Sequence, residues 1–451
     1  MGSAPLGRLL ISLSLPGIVS MIIMALYNAV DTFWVARLGH EAIAALTVIL
    51  PYHILNIAIG VGTGVGISAL TSRRFGEGDI AATNLVAAQI FPIAAFFGSV
   101  FLMAAVFFSR PILITFGATL DIMDYATQYL VIIGFGAPFL ILSMTISNLL
   151  RGSGDAMRPM IFMLVGTIIN IILDPFLIFG IGPFPEMGVR GAALATVLSL
   201  VISTGISFYY VITGKSAYQI KMIHLKPRLS VLLDIYRIGS PTMITVAMES
   251  VMFSLLNSAL SVHGSLAIAA AGVAIRIIDL SLMPIFGVAN GLLPIVGFNF
   301  GARLWDRLWG VVKLASVWIA LLVGAASVAM EIFTPHIIGI FSKEPELLAV
   351  AVPAMRILLS SPFIIGPTIM FITAFQGLSK GIDALVLSLA RQIVFFVPLL
   401  FLLPRILGIY GVWLSLPVSD LLAFVVSGLW LIREYKRQQQ KGIWSDLSFS
   451  D

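Results

Sequence analysis

Cysteine is absent from the 451 residues, so neither a disulfide nor a thiolate metal site is available. Charge is nearly as scarce. Charged residues make up 10 % of the chain, where a soluble domain carries about 25 %. A Walker A loop is missing: Gly214-Lys215-Ser216 has Tyr209 where the earlier glycine belongs. The five histidines form no HxxxH pair, and no GxSxG nucleophile elbow occurs. These absences exclude an ATP-driven motor, a zinc protease and a serine hydrolase, and the chain reads as a non-enzyme without cofactors. What is present is apolar: 59 % of the residues are hydrophobic and the mean hydropathy is +1.06. A chain this poor in polar groups cannot cover itself for water, so its solvent is largely lipid. Long unbroken apolar runs exclude disorder and a membrane β-barrel.

About 20 mostly apolar residues cross a bilayer as a helix. Twelve such runs are legible, at 10–36, 44–72, 84–108, 125–149, 159–181, 190–213, 236–261, 266–296, 310–334, 348–376, 384–404 and 410–432. The fold class is therefore all-α membrane protein. Residues 1–214 form an N-terminal six-helix lobe, 215–234 a basic linker, 235–434 a C-terminal six-helix lobe and 435–451 a tail. The net charge of +5 reads as cytoplasmic loop bias, not as nucleic-acid binding. With the N-terminus inside, inner segments hold 16 Lys and Arg, and outer segments hold 5: Arg37, Arg110, Arg190, Lys343 and Arg405. Both termini are expected in the cytoplasm, with no signal peptide removed.

The halves repeat at an offset of 225 residues. Gly39 and Ile43-Ala44-Ala45 match Gly264 and Ile268-Ala269-Ala270, Pro16 matches Pro241, Phe75-Gly76 matches Phe300-Gly301, and Gly152 matches Gly377. Several matches at one offset mean duplication. Six spans per half is even, so the repeats are parallel, related by a pseudo-two-fold axis along the membrane normal. That plan predicts a central cleft and alternating access; a passive channel is the competing class.

An ionisable group at the bilayer centre costs roughly 2.5–3.5 kcal/mol on insertion scales. Asp31, Asp174, Glu249, Asp279 and Asp420 lie well within spans. Asn28 is three residues before Asp31, and Asn170 is four before Asp174; such spacings share a helix face. With the Thr196 hydroxyl they predict one polar pocket. Two carboxylates close together in low dielectric resist ionising together: one takes up a proton, or a cation binds between them. Hard oxygen ligands of this kind suit H⁺ or Na⁺, not Zn²⁺, and no metal beyond Na⁺ is expected there. A structural polar lock between helices is the alternative. The repeat maps Asp31, Asn170 and Asp174 onto Leu256, Ile393 and Val397, so the fold itself does not require the cluster. Arg276 and Asp279 are spaced to pair within span eight, and Asp420 reads as a local polar contact. Gly60, Gly62, Gly64 and Gly66 give two GxxxG spacings, read as close helix packing.

Leu15-Pro16, Tyr27-Asn28-Ala29-Val30-Asp31-Thr32, Arg151-Gly152-Ser153-Gly154-Asp155, Asn170 with Asp174-Pro175, Gly191 to Thr196 and Pro294 to Ala302 occur in this order across nearly the whole chain. They resemble the multidrug and toxic compound extrusion (MATE) family, in its DinF-like branch of bacteria and archaea. The resemblance implies an antiporter exporting cationic or amphipathic compounds against inward H⁺ or Na⁺. The alternative within the superfamily is a flippase of lipid-linked saccharides. It further implies cation coupling at Asp31, Asn170, Asp174 and Thr196, a hinge at Pro16, and cavity-lining roles for Tyr27, Asn28, Trp34 and Asn148. Some members bind cations in the second half through an acid at the place of Glu249; their partner acid on span ten is missing here between Phe363 and Gln376. A monomer in a prokaryotic cytoplasmic membrane is expected, its partners being small organic substrates and lipids.

Overall fold

The computed structural model describes residues 1–341 and 344–447. Lys343, counted above among the outer basic residues, and residues 448–451 of the tail lie outside them. Among the described residues, regular structure is helical throughout. Eleven helices are long and apolar enough to cross a membrane, and a pair bent by 43° supplies the twelfth crossing. In chain order these are α1 Leu6–Ala36, α2 His40–Gly76, α3 Ile80–Phe107, α4 Met123–Gly152, α5 Met157–Phe179, α6 Val189–Ile212, α7 Leu229–Ser261, α8 Ser265–Gly301, α9 Trp305–Phe341, α10 (Pro345–Leu358 with Pro362–Gly377), α11 Gly381–Leu407 and α12 Ile409–Leu447. The bend in α10 falls just before Pro362, which has no N–H and so cannot continue the backbone ladder from the preceding helix.

Two boundaries differ from the apolar runs. The sequence run for span seven begins at 236, but α7 begins at Leu229 and takes six residues from the linker. Helix α12 continues fifteen residues past 432, to Leu447. Hydropathy stops where the lipid stops, whereas the helix needs only its backbone bonds. At about 1.5 Å per residue a helix of this length far exceeds a 30 Å core.

The linker is fastened, not loose. The buried Gln89 side chain donates to the carbonyls of His224 (3.0 Å) and Lys226 (3.3 Å) and accepts from the Arg228 N–H (3.1 Å). Asn84 Oδ1 accepts from the Gln219 N–H (2.8 Å), and the buried Tyr218 hydroxyl donates to the Leu149 carbonyl.

By packing, the chain forms two compact units: Val19–Met243, and Met1–Ile18 with Ile244–Asp451. The cuts at 18/19 and 243/244 are 225 residues apart, the repeat offset, and each falls just after a repeated proline, Pro16 or Pro241. They lie inside α1 and α7, not at the linker. In the Val19–Met243 unit α4 packs along α2, α3 and α6, and α5 lies on α6. In the other unit α10 packs along α8, α9 and α12 in the same order.

Glycines set how closely these helices approach. On α2, Gly60 and Gly64 face Met144 and Asn148 of α4, while Gly62 and Gly66 face Gly239 and Ile235 of α7. A Cβ on Gly62 would stand 2.7 Å from the Gly239 carbonyl oxygen, so no other residue fits there without a shift. The interleaved GxxxG spacings thus serve two helices at once. The equivalent contact in the other unit joins Gly287 and Gly291 of α8 to Gly17 and Ser14 of α1.

Candidate functional site

The first-half pocket lies within the Val19–Met243 unit. Helix α1 presents Tyr27 and Asp31, four residues apart and both partly buried. Asn28 falls on the exposed side of the helix, and its carbonyl accepts from the Thr32 hydroxyl at 2.8 Å. The i, i+4 neighbour of Asp31, not the i, i+3 neighbour, shares its environment. Helix α5 presents Asn170 and Asp174, both 0 % exposed. Asn170 Nδ2 donates to Asp174 Oδ1 at 3.2 Å. Helix α6 supplies Thr196, whose hydroxyl is 3.4 Å from that of Tyr27. Asp31 and Asp174 are close enough to interact electrostatically. Their charges also reach Tyr27 and the buried Tyr129 of α4.

Three oxygens in this cluster are buried without a hydrogen-bond partner: Asp31 Oδ1, Asn170 Oδ1 and Asp174 Oδ2. All three are acceptors. An unsatisfied buried acceptor costs about 1–3 kcal/mol, so the cluster has a standing demand for a proton or a cation. One turn further along α1 and α5, Trp34 meets Phe179 edge-on at 5.9 Å. Arg37 lies over the Phe33 and Trp34 rings at 4.6 and 5.0 Å.

Other sequence candidates lie apart. Asn148 is buried against Gly64 and donates to its own helix at the Met144 carbonyl (2.9 Å), a helix-packing position. Pro16 sits within α1 two residues before the unit boundary. Glu249 is half-buried on α7, within electrostatic reach of Asp279 and Arg391. Asp279 is exposed, and no ion pair joins it to Arg276 among the described residues. Asp420 is not a local contact: it pairs across helices with Arg391 at 2.6 Å. Tyr129 and Arg391 were not singled out by the sequence. A lone tyrosine in an apolar span carries no periodic signal, and neither does an arginine whose partner lies on another helix. Among the described residues no group of three or more His, Cys, Asp or Glu is placed to hold a metal ion.

Twelve crossings in two equivalent sets of six, with unsatisfied oxygens inside the first, define a polytopic membrane transporter. The MatE family model matches the chain twice, at residues 16–176 and 241–402, so that both matches begin at a repeated proline. A FAD transporter of Shewanella oneidensis is 28 % identical over 425 residues, covering 93 % of each chain. The multidrug export protein MepA of Staphylococcus saprophyticus is 24 % identical over 424 residues, again 93 % of each. Among solved structures, an outward-facing multidrug resistance MATE family transporter superposes with a TM-score of 0.91 at 27 % identity, covering 97 % of both chains. The chain belongs to the MATE family.

Proposed function

We propose that this protein is a secondary exporter that moves amphipathic organic compounds out of the cell by alternating access, driven by inward H⁺ or Na⁺ at the Asp31, Asn170, Asp174 and Thr196 cluster. One observation carries the reading: three acceptor oxygens, on side chains within electrostatic or hydrogen-bonding reach of one another, are buried with no hydrogen-bond partner among the described residues. A proton turns one carboxylate oxygen into a donor for its neighbour. A sodium ion satisfies all three directly, with the Thr196 hydroxyl as a fourth oxygen. Asn170 holds one Asp174 oxygen in place and so aims the other at the arriving ion. Inward movement of one charge yields about 2.3 kcal/mol per 100 mV. That gain drives export only if the cluster loads on one side and empties on the other. The MepA and FAD-transporter relatives support small organic cargo, and the 16-to-5 bias supports a cytoplasmic membrane with both termini inside.

The test is transport in proteoliposomes with imposed pH or Na⁺ gradients, using a panel of organic cations with a lipid-linked saccharide beside them. Saturable efflux that collapses with one gradient is expected. Flux indifferent to every ion gradient would replace this reading with a passive pathway, and movement of the saccharide lipid alone would replace the cargo.

A further inference from the structure

The unit of residues 1–18 and 244–451 holds a second charge cluster, of different composition. Helix α11 opens into a π-turn over Ala390–Phe395. Such turns insert an extra residue, re-aim side chains and cluster at functional positions. This one carries Arg391 and Gln392. Arg391 Nε donates to Asp420 Oδ1 on α12 at 2.6 Å. Asp420 is 2 % exposed, while the Arg391 side chain keeps 22 % of its surface open. Arg391 is ten residues into α11 and Asp420 eleven into α12, about 15 Å along each helix and so near mid-membrane.

A guanidinium carries five N–H donors in a planar fork. Asp420 takes one. Among the described residues the terminal amino groups of Arg391 have no hydrogen-bond partner, and they are not among the atoms sealed from solvent. Glu249, the other acid within electrostatic reach, forms neither a hydrogen bond nor an ion pair with Arg391. The position of the fork is fixed all the same. Gln392, 4 % exposed, donates to the Thr245 carbonyl of α7 at 3.5 Å, one turn before Glu249, and its Oε1 is buried without a partner. So α7, α11 and α12 all hold this region, and the open side of a planar cation is left over. The first half offers the contrast. Its span five carries Asn170 and Asp174 with no basic partner among the described residues, whereas the corresponding span of the second half carries Arg391.

We propose that Arg391 is an anion-recognition residue of the second half: Asp420 orients its guanidinium, and the free amino groups take a carboxylate or phosphate group on the transported compound. Guanidinium binds such groups through two parallel bonds, which a simple positive charge does not reproduce. The cargo then includes zwitterionic and anionic amphiphiles beside cations. The proposal rests on the export reading only in treating the bound compound as cargo.

The experiment is equilibrium binding to the purified full-length protein in detergent, with no gradient. The probes are rhodamine B, which has a free carboxylate, and its ethyl ester, which has the same cationic ring system without it. Arg391→Gln is expected to weaken rhodamine B binding at least ten-fold and to leave the ester within two-fold. Arg391→Gln with Asp420→Asn removes both charges of the pair, leaves no lone buried acid, and is expected to behave alike. On the unmodified protein, benzoate or phenyl phosphate should displace rhodamine B and not the ester; which of the two competes better tells a carboxylate site from a phosphate site. Equal losses for both dyes, or failure of both competitors to separate them, would overturn the proposal. Should the single variant not fold, the double variant and the competition decide. Lost ion-driven efflux with dye discrimination intact counts against the coupling reading, and the reverse counts against Arg391.

Discussion

Asn170 Nδ2 holds Asp174 Oδ1 at 3.2 Å, one turn away on the same helix, and so leaves Asp174 with one oxygen tied and one open. An acid in that position is oriented without being neutralised. Asp174→Asn keeps the size and the bond to Asn170 but removes the exchangeable charge. Efflux in everted vesicles is expected to fall at least ten-fold, with normal membrane insertion. Asp31→Asn should match it, and the double variant should be little worse, because interacting sites are not additive. Full transport by Asp31→Asn would remove coupling from this cluster.

The second half has a different balance. Glu249 has a built-in cation within electrostatic reach, Arg391, and no acid partner on α10 between Phe363 and Gln376. Glu249→Gln is expected to retain a substantial part, roughly half, of ion-driven efflux in the same assay. Abolished transport in Glu249→Gln with survival in Asp31→Asn would move coupling to the second half.

Spans, repeat and acids were legible because each is a one-dimensional signal: a hydropathy run, a fixed offset, a costly charge in an apolar stretch. The face of α1 was less so. Asn28 and Tyr27 both satisfy helical spacing to Asp31, and only packing places Tyr27 inward and Asn28 outward. Arg391 gives no such one-dimensional signal because its partner is 29 residues away on another helix. The division of α1 and α7 between two units leaves no mark in composition at all.

Gln89 bears on the linker. Gln89→Ala removes three hydrogen bonds to the segment His224–Arg228, each worth about 0.5–1.5 kcal/mol net. Trypsin applied to the face that carries the linker should cut after Lys215, Lys221 or Arg228 several-fold faster than in the unmodified protein. An unchanged cutting rate would mean that Asn84 and Tyr218 hold the linker unaided.

Gly62→Val forces a side chain into the Gly239 carbonyl and Met243. Overpacking of this kind costs about 1–3 kcal/mol or more, so a clear drop in thermal midpoint is expected. Gly205→Ala on α6, where a Cβ meets nothing within 4 Å, should leave the midpoint unchanged. Equal midpoints for both variants would mean that α2 and α7 can separate freely.

Topology is tested by reporters. A fusion after Gly39 should be active only outside and one after Asp451 only inside, as the 16-to-5 bias and the even number of crossings require. An external C-terminus together with an external Gly39 fusion would make the number of crossings odd and rule out parallel repeats.

The exchange of helix ends at 18/19 and 243/244 bears on ancestry and biosynthesis. The glycine face of α2 is covered by residues 235–239 of the second copy, and the matching face of α8 by residues 14–17 of the first. A free-standing six-helix copy would leave that face bare until a second copy lent its first helix, which is the arrangement of a swapped dimer. Gene fusion turns the loan into a covalent one and keeps the 225-residue spacing as its record. On the ribosome the same exchange delays completion: the Val19–Met243 unit cannot close its α2 face until the chain has been synthesised past Met243, well after its own six crossings are made.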